Sequence, residues 1–204
     1  MDSIIERLSR LAPSTLGHFV DEGFLDIAIR PVFQPVKFAG RAVTVDAPPR
    51  DNTIYRQAIR GATPGDVLVI ARGGDLRHAS FGGGMALAAK NRGIVGVVVD
   101  GPATDYAELV AFGLPVYSRG LSALTTRRLN LGGSVGEPIV CGGVRVANGD
   151  YVLADDDGVL VIPPSEVLAI IERGEAASQR EQETLALLKS GKTFDEIDAK
   201  RRGT

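Results

Sequence analysis

Apolar positions recur along this chain with two periods, and each predicts a different element. Between Ser3 and Leu11, Ile4, Ile5, Leu8 and Leu11 share one helical face and Glu6, Arg7 and Arg10 the other, which predicts an amphipathic helix. A second short helix is expected from Ser14, as its cap, to Gly23. From Gly40 to Val45 the period drops to two, the signature of a strand. Val67 to Ala71 is apolar throughout, as in a strand covered on both faces. Between these strands, Asp51 or Asn52 can cap a helix running from about Thr53 to Arg60.

The middle of the chain repeats this alternation tightly. Gly82-Gly83-Gly84 leads into a helix-favouring run, Met85 to Lys90, that Gly93 stops. Ile94 to Val99 then reads as a buried strand, Asp100 to Asp105 as a polar turn, Tyr106 to Phe112 as a short helix and Leu114 to Tyr117 as another strand. Beyond a polar connector, Leu121 to Leu131, the pattern becomes glycine-punctuated β: Glu137 to Cys141, Val144 to Val146, Tyr151 to Ala154 and Val159 to Ile162. Gly142-Gly143 and Asn148-Gly149 mark turns, the second with a hairpin-type signal. A last long helix should start near Pro163 to Glu166 and reach about Lys189, with a short one from Phe194 to Ile197. Its sparse apolar stripe suggests packing on another subunit. The whole predicts one α/β domain over 1–204, with a core of about 14–175 and a helical tail of about 165–204.

Composition narrows the function classes. Twenty-three basic and 25 acidic residues leave a net charge of -2, so no general attraction to nucleic acid or to an anionic membrane is expected. The single cysteine, Cys141, excludes an intrachain disulfide and a multi-cysteine zinc site, and suits a reducing compartment. The charged N-terminal segment lacks an apolar signal core, and no apolar run is long enough to span a bilayer, so a cytoplasmic protein is expected.

Two groups within Gly82 to Asp105 carry chemistry. The amides of Gly83, Gly84 and Met85 at a helix N-terminus form a concavity suited to a carboxylate or phosphate, although the same glycines also serve close helix–strand packing. Asp105, just past a strand end, offers an oxygen for a hard cation. Arg72, Asp75, Arg77 and His78 gather where another strand ends, the usual place for ligands in open α/β sheets; a solvated loop explains them equally well. Asp155-Asp156-Asp157-Gly158 lacks the spacing of a calcium loop and reads as a tight turn.

Several segments together resemble the RraA-like family, which includes the class II 4-hydroxy-4-methyl-2-oxoglutarate aldolase/oxaloacetate decarboxylase enzymes and the RraA regulator of ribonuclease E. They are GRAVTV (40–45), PGDVLVI (64–70), GGGMALAAKNRGIVGVVVDG (82–101), Asp105, FGLPVYSRG (112–120) and CGGVRVANGDYVLADDDGVLVIP (141–163). The resemblance implies a swivelling ββα-type α/β domain with N- and C-terminal helices, assembled as a homotrimer or hexamer with sites between subunits. It implies a magnesium (or manganese) ion on Asp105 and a substrate carboxylate on the amides of Gly83 to Met85. Two positions depart from the family pattern: Thr104 stands where the aldolases have arginine, and Gly83 where they have an acid. Threonine cannot make the bidentate, charged contact of a guanidinium. The expectation is therefore a metal-dependent lyase for a small 2-oxo acid, with altered specificity. In it Arg77 would hold a second anionic group and His78 act as acid or base. The alternative is a non-catalytic RraA-like protein that docks on a partner such as a ribonuclease.

Overall fold

The computed structural model describes residues 3–202. In chain order the elements are α1 (Ser3–Ser9), α2 (Pro13–Leu16), β1 (Arg30–Pro31), β2 (Lys37–Asp46), α3 (Tyr55–Gly61), β3 (Asp66–Ala71), α4 (Gly83–Asn91), β4 (Gly96–Val99) and α5 (Tyr106–Phe112). They continue with β5 (Val116–Ser118), β6 (Ser134–Val135), β7 (Ile139–Cys141), β8 (Val144–Val146), β9 (Tyr151–Asp155), β10 (Gly158–Ile162), α6 (Val167–Lys189) and α7 (Phe194–Arg202). The fold is the expected mixed α/β arrangement with helices at both ends.

One sheet runs in the order β1-β5-β4-β3-β2-β9-β10, with β6 also on β2. Its centre, β2-β3-β4-β5, is parallel, and the outer strands are antiparallel. β2 is long enough to serve three partners: Arg41 to Asp46 pair with β3, Lys37 to Arg41 with β9, and Val45 and Asp46 with β6. The apolar run of β3 behaves as its lack of alternation predicts, because both faces are covered. Leu68 and Ile70 pack with α3, α4 and α5, while Val67 and Val69 pack with the β7–β8 hairpin. A third cluster joins Leu8, Leu11 and Leu16 to β9, β10, Val167 and Ile171. There α6 approaches closely enough that a Cβ at Gly174 would sit 2.6 Å from Leu16 Cδ2, which accounts for glycine in mid-helix.

Three expectations are corrected. The second helix is one turn, Pro13–Leu16, rather than reaching Gly23, since Gly17 caps it and the chain turns so that Phe24 can bridge to Leu160. Asn148-Gly149 does not join a hairpin: β8 pairs back onto β7, and β9 leaves the turn to pair with β2 and β10. Asp51 does more than cap, since it is fully buried and ties two distant segments. Its Oδ1 accepts from the Thr53 amide at 2.9 Å and the Leu129 amide at 3.0 Å, and its Oδ2 from the Leu131 amide at 2.7 Å.

Burial by itself would raise the Asp51 pKa, but the Thr53 hydroxyl and these amides outweigh it and hold the carboxyl well below the usual range. Asp75 is held down in the same way, burial being outweighed by the His78 ring and the amides of Arg77, His78 and Arg50. Folded pKa values below the unfolded ones mean stabilisation that is present above the unfolded carboxylate value and lost as protons bind. Stability should thus decline as the pH falls below about 4. Urea unfolding at pH 7 and pH 3 checks this, with Asp51→Asn expected to cost about 1–3 kcal/mol at pH 7 and to flatten the acid limb. An unchanged acid limb in that variant would remove Asp51 from the explanation.

Candidate functional site: a groove at the carboxyl ends of the parallel strands

β3 and β4 end side by side, and the loops that leave them are stitched into one wall. Ser80 N–H donates to the Pro102 carbonyl at 3.1 Å, Thr104 N–H to the Phe81 carbonyl at 3.0 Å and Ala103 N–H to the Gly120 carbonyl at 2.9 Å. The connector from Leu121 joins them, with Thr126 N–H donating to the Ala79 carbonyl at 2.9 Å. Together with α3 and one side of α4 along its length, these loops form a groove of about 840 Å³ lined by residues that include Asn52, Ser80, Gly84, Met85, Thr104 and Asp105.

Asp105 is the pivot of this wall. Its φ of 57° puts a non-glycine residue in the left-handed region, a strained conformation that aspartate tolerates better than most. From there its backbone carbonyl accepts the first amides of α5, from Glu108 at 2.9 Å and Leu109 at 3.0 Å. Its side chain, free of capping its own helix, crosses to α4: Oδ2 accepts from the Gly83 amide at 2.9 Å, and Oδ1 accepts from the Thr104 hydroxyl at 3.3 Å. The carboxylate remains exposed at the groove. The glycines are there to admit it. A Cβ on Gly82 would lie 2.3 Å from Asp105 Oδ2, although the φ of Gly82, -144°, suits any residue.

A second carboxylate converges on the same point. A Cβ built on Gly83 would fall 1.6 Å from Glu108 Oε2, so Glu108, one turn into α5, occupies the space that a side chain at position 83 would need. Glu108 thus fills the space in which the family resemblance implies an acid at position 83.

The expected residues are brought together in part. Asp105, Thr104, Gly84 and Met85 line the groove. The Gly83 amide, expected in the ligand cradle, is instead taken by Asp105, which leaves the Gly84 and Met85 amides facing outward at the positive end of α4. Arg77 and His78 do not line the groove. The reason is Asp75: its carboxylate gathers the amides of Arg50, Arg77 and His78 at 3.0–3.1 Å and holds His78 Nδ1 at 3.0 Å, curling the 73–78 turn onto itself. Sequence reasoning missed Arg56, Arg60 and Arg92, which line the groove, and Glu108, which faces Gly83. The spacing of Arg56 and Arg60 by four on one helix was the visible signal; nothing local marks Glu108.

Every side-chain donor for a cation here is oxygen, with no histidine or cysteine in the lining, and Asp105 is the carboxylate exposed to the groove. Among the described residues no group of three or more metal-ligating side chains forms. The arrangement therefore suits a hard ion that keeps most of its shell as water and substrate, as magnesium does.

Fold and site define an α/β protein with a polar groove at the carboxyl ends of parallel strands. A model of the RraA-like family, Aldolase/RraA, matches residues 15–161, and the chain belongs to that family. It is 34% identical over 166 residues (80% of this chain, 79% of the relative) to a Halalkalibacterium halodurans protein provisionally named 4-hydroxy-4-methyl-2-oxoglutarate aldolase. It is 37% identical over 128 residues (62% of this chain, 76% of the relative) to the 4-hydroxy-4-methyl-2-oxoglutarate aldolase of Thermus thermophilus. Among solved structures it is similar to Streptomyces coelicolor RraAS2, an unusual member of the RNase ES inhibitor RraA protein family, with a TM-score of 0.79, 25% identity, and 90% and 96% of the two chains covered. Among the described residues, no helix is long and apolar enough to cross a membrane.

Proposed function

We propose that this protein is a magnesium- or manganese-dependent lyase that cleaves a carbon–carbon bond in a small 2-oxo acid. The observation that supports this best is the pairing of an exposed, strained aspartate with two unspent helix-terminal amides on one groove wall. The amides of Gly84 and Met85 bind the substrate carboxylate, with the dipole of α4 behind them. Asp105 holds the ion, the Gly83 amide and Thr104 hydroxyl fixing the orientation of its carboxylate. When bound there, the ion supplies Lewis acidity toward the 2-oxo oxygen, where negative charge develops as the bond breaks. Glu108 Oε2, over Gly83, is the group placed to orient water or take a proton. Magnesium-dependent decarboxylation of oxaloacetate by the purified protein tests this directly. No turnover and no magnesium-dependent change in thermal stability would remove the lyase reading.

The alternative, a non-catalytic protein docking on a ribonuclease-like partner, is favoured by one observation, Thr104 in place of the aldolase arginine. The magnesium experiment separates the two, because docking needs no ion on Asp105.

We also propose a homotrimer or hexamer. The connector beside the groove exposes Leu121, Leu124, Leu129 and Leu131, and Leu76 is 60% exposed on the neighbouring loop, an apolar display that a subunit contact would cover. Multi-angle light scattering at micromolar concentration should give three or six times the chain mass; a monomer would refute it.

A further inference from the structure

The groove has two parts, and the lyase chemistry uses only the one at the strand ends, where Thr104, Asp105 and Thr126 make the lining polar. From there it continues as a slot between α3 and α4. These helices run in the same direction, since each returns the chain from one parallel strand to the next. Gly84, Met85, Ala88 and Asn91, three or four positions apart, line the α4 side. Seven residues at roughly 1.5 Å each make the slot about 10 Å long. Apart from Asn91, its inner surface is apolar or small: Met85 is half-buried, Ala88 exposed, and Ile59 of α3 buried against it. Arg56 and Arg60 line the α3 side and are exposed. An arginine can lay its aliphatic stem along such a surface while its head stays in water. A cleft between helices is by itself ordinary packing, but this one has a built end. Arg92, the C-cap of α4, reaches across to the C-cap of α3, its Nε donating to the Ala62 carbonyl at 2.7 Å, so that its side chain bars the slot where both helices stop. The whole groove, at about 840 Å³, exceeds what a pyruvate-sized head requires, pockets for drug-sized molecules being roughly 300–1,000 Å³.

We infer that the slot holds an unbranched apolar tail of the substrate, with Met85 and Ala88 as specificity-determining residues and Arg92 as the stop that limits tail length. This deepens the lyase reading and rests on it for the other end of the molecule, the carboxylate held by the Gly84 and Met85 amides at the mouth of the slot. Met85 serves both ends, its amide facing the head and its flexible thioether side chain adapting to the first carbons of the tail. Ala88, with a single methyl, leaves the slot its width. The substrate class is thus a 2-oxo acid whose far end is aliphatic and carries no charge. Each methylene that the slot takes out of water should raise affinity about two- to fourfold.

The experiment is calorimetric titration of the full-length protein in magnesium with 2-oxobutanoate, 2-oxopentanoate, 2-oxooctanoate and 2-oxodecanoate, none of which carries the hydroxyl that carbon–carbon cleavage needs. Affinity of the wild type should climb about two- to fourfold per methylene as far as 2-oxooctanoate and gain nothing further with 2-oxodecanoate. Ala88→Leu should weaken 2-oxooctanoate at least about tenfold and leave 2-oxobutanoate unchanged. Arg92→Ala should let the climb continue to 2-oxodecanoate. Both positions are exposed and both new residues favour helix, so the variants should fold, and circular dichroism with thermal melting verifies it. A flat series in the wild type, or an Ala88→Leu protein that binds 2-oxooctanoate as before, overturns the inference alone. So does tighter binding of 2-oxoglutarate than of 2-oxopentanoate, which would mean that the far end of the molecule is read by charge. Failure of the wild type to bind any of these acids overturns the lyase reading and the inference with it.

Discussion

Asp105→Asn is expected to abolish magnesium-dependent stabilisation of this protein and to lower its lyase rate by at least about two orders of magnitude. Asparagine is nearly isosteric, tolerates the left-handed backbone at φ 57°, and can still accept the Gly83 hydrogen bond through its amide oxygen. What it removes is charge. The variant therefore separates electrostatics from architecture, as Asp105→Ala would not, since alanine also strands the Gly83 amide. Gly82→Ala is the steric companion. Its added methyl would sit 2.3 Å from Asp105 Oδ2 and 2.6 Å from Thr104 Cγ2, so the carboxylate must leave its place while every charged group is retained. Both variants should lose the magnesium response while remaining folded. An Asp105→Asn protein with undiminished magnesium affinity would move the ion elsewhere and detach the site from this wall.

How much of this was legible beforehand follows from the range of the interactions involved. The apolar run of β3 and the helix after the triple glycine are set by neighbours in sequence, and both stand where their patterns placed them. The role of Gly83 was not legible in the same way. A glycine at a helix start reads as a free donor, but its amide is taken by a carboxylate 22 positions later, and the space over its Cα by a side chain 25 positions later. Asp51 likewise reads as a cap, and only the return of Leu129 and Leu131 turns it into a buried anchor. His78 and Arg77 were read by proximity in sequence to the cradle. Asp75, three residues before His78, had the stronger claim on both, since a carboxylate among adjacent amides folds its own loop first. The arginines of α3 were visible as residues, yet their meaning depends on which way the helix faces across the sheet, and that is decided by the packing of Tyr55, Ala58 and Ile59 in the core.

Thr104 is one of the two positions at which the family resemblance implies a different residue, an arginine, and Thr104→Arg should raise oxaloacetate decarboxylation by about two to three orders of magnitude. The figure follows from the roughly 2–5 kcal/mol that a charged contact to a desolvated carboxylate is worth, at about 1.4 kcal/mol per decade of rate. Space is available, since Thr104 lines the groove and its hydroxyl makes only the long 3.3 Å bond to Asp105. Adding the acid at position 83 as well is a different operation. A Cβ there falls 1.6 Å from Glu108 Oε2 and 2.8 Å from Glu108 Cβ, so Gly83→Glu alone should cost activity by driving the resident carboxylate out. Coupled to Glu108→Ala it relieves that contact and returns one acid to the same place from the other helix. The rate order should therefore run from Gly83→Glu as slowest, through wild type, to Thr104→Arg, with Gly83→Glu/Glu108→Ala recovering most of what the single change loses. Steady-state kinetics at saturating magnesium would measure it. If Thr104→Arg leaves the rate within about twofold of wild type while magnesium still stabilises the protein, then a guanidinium at this position is not what limits the reaction.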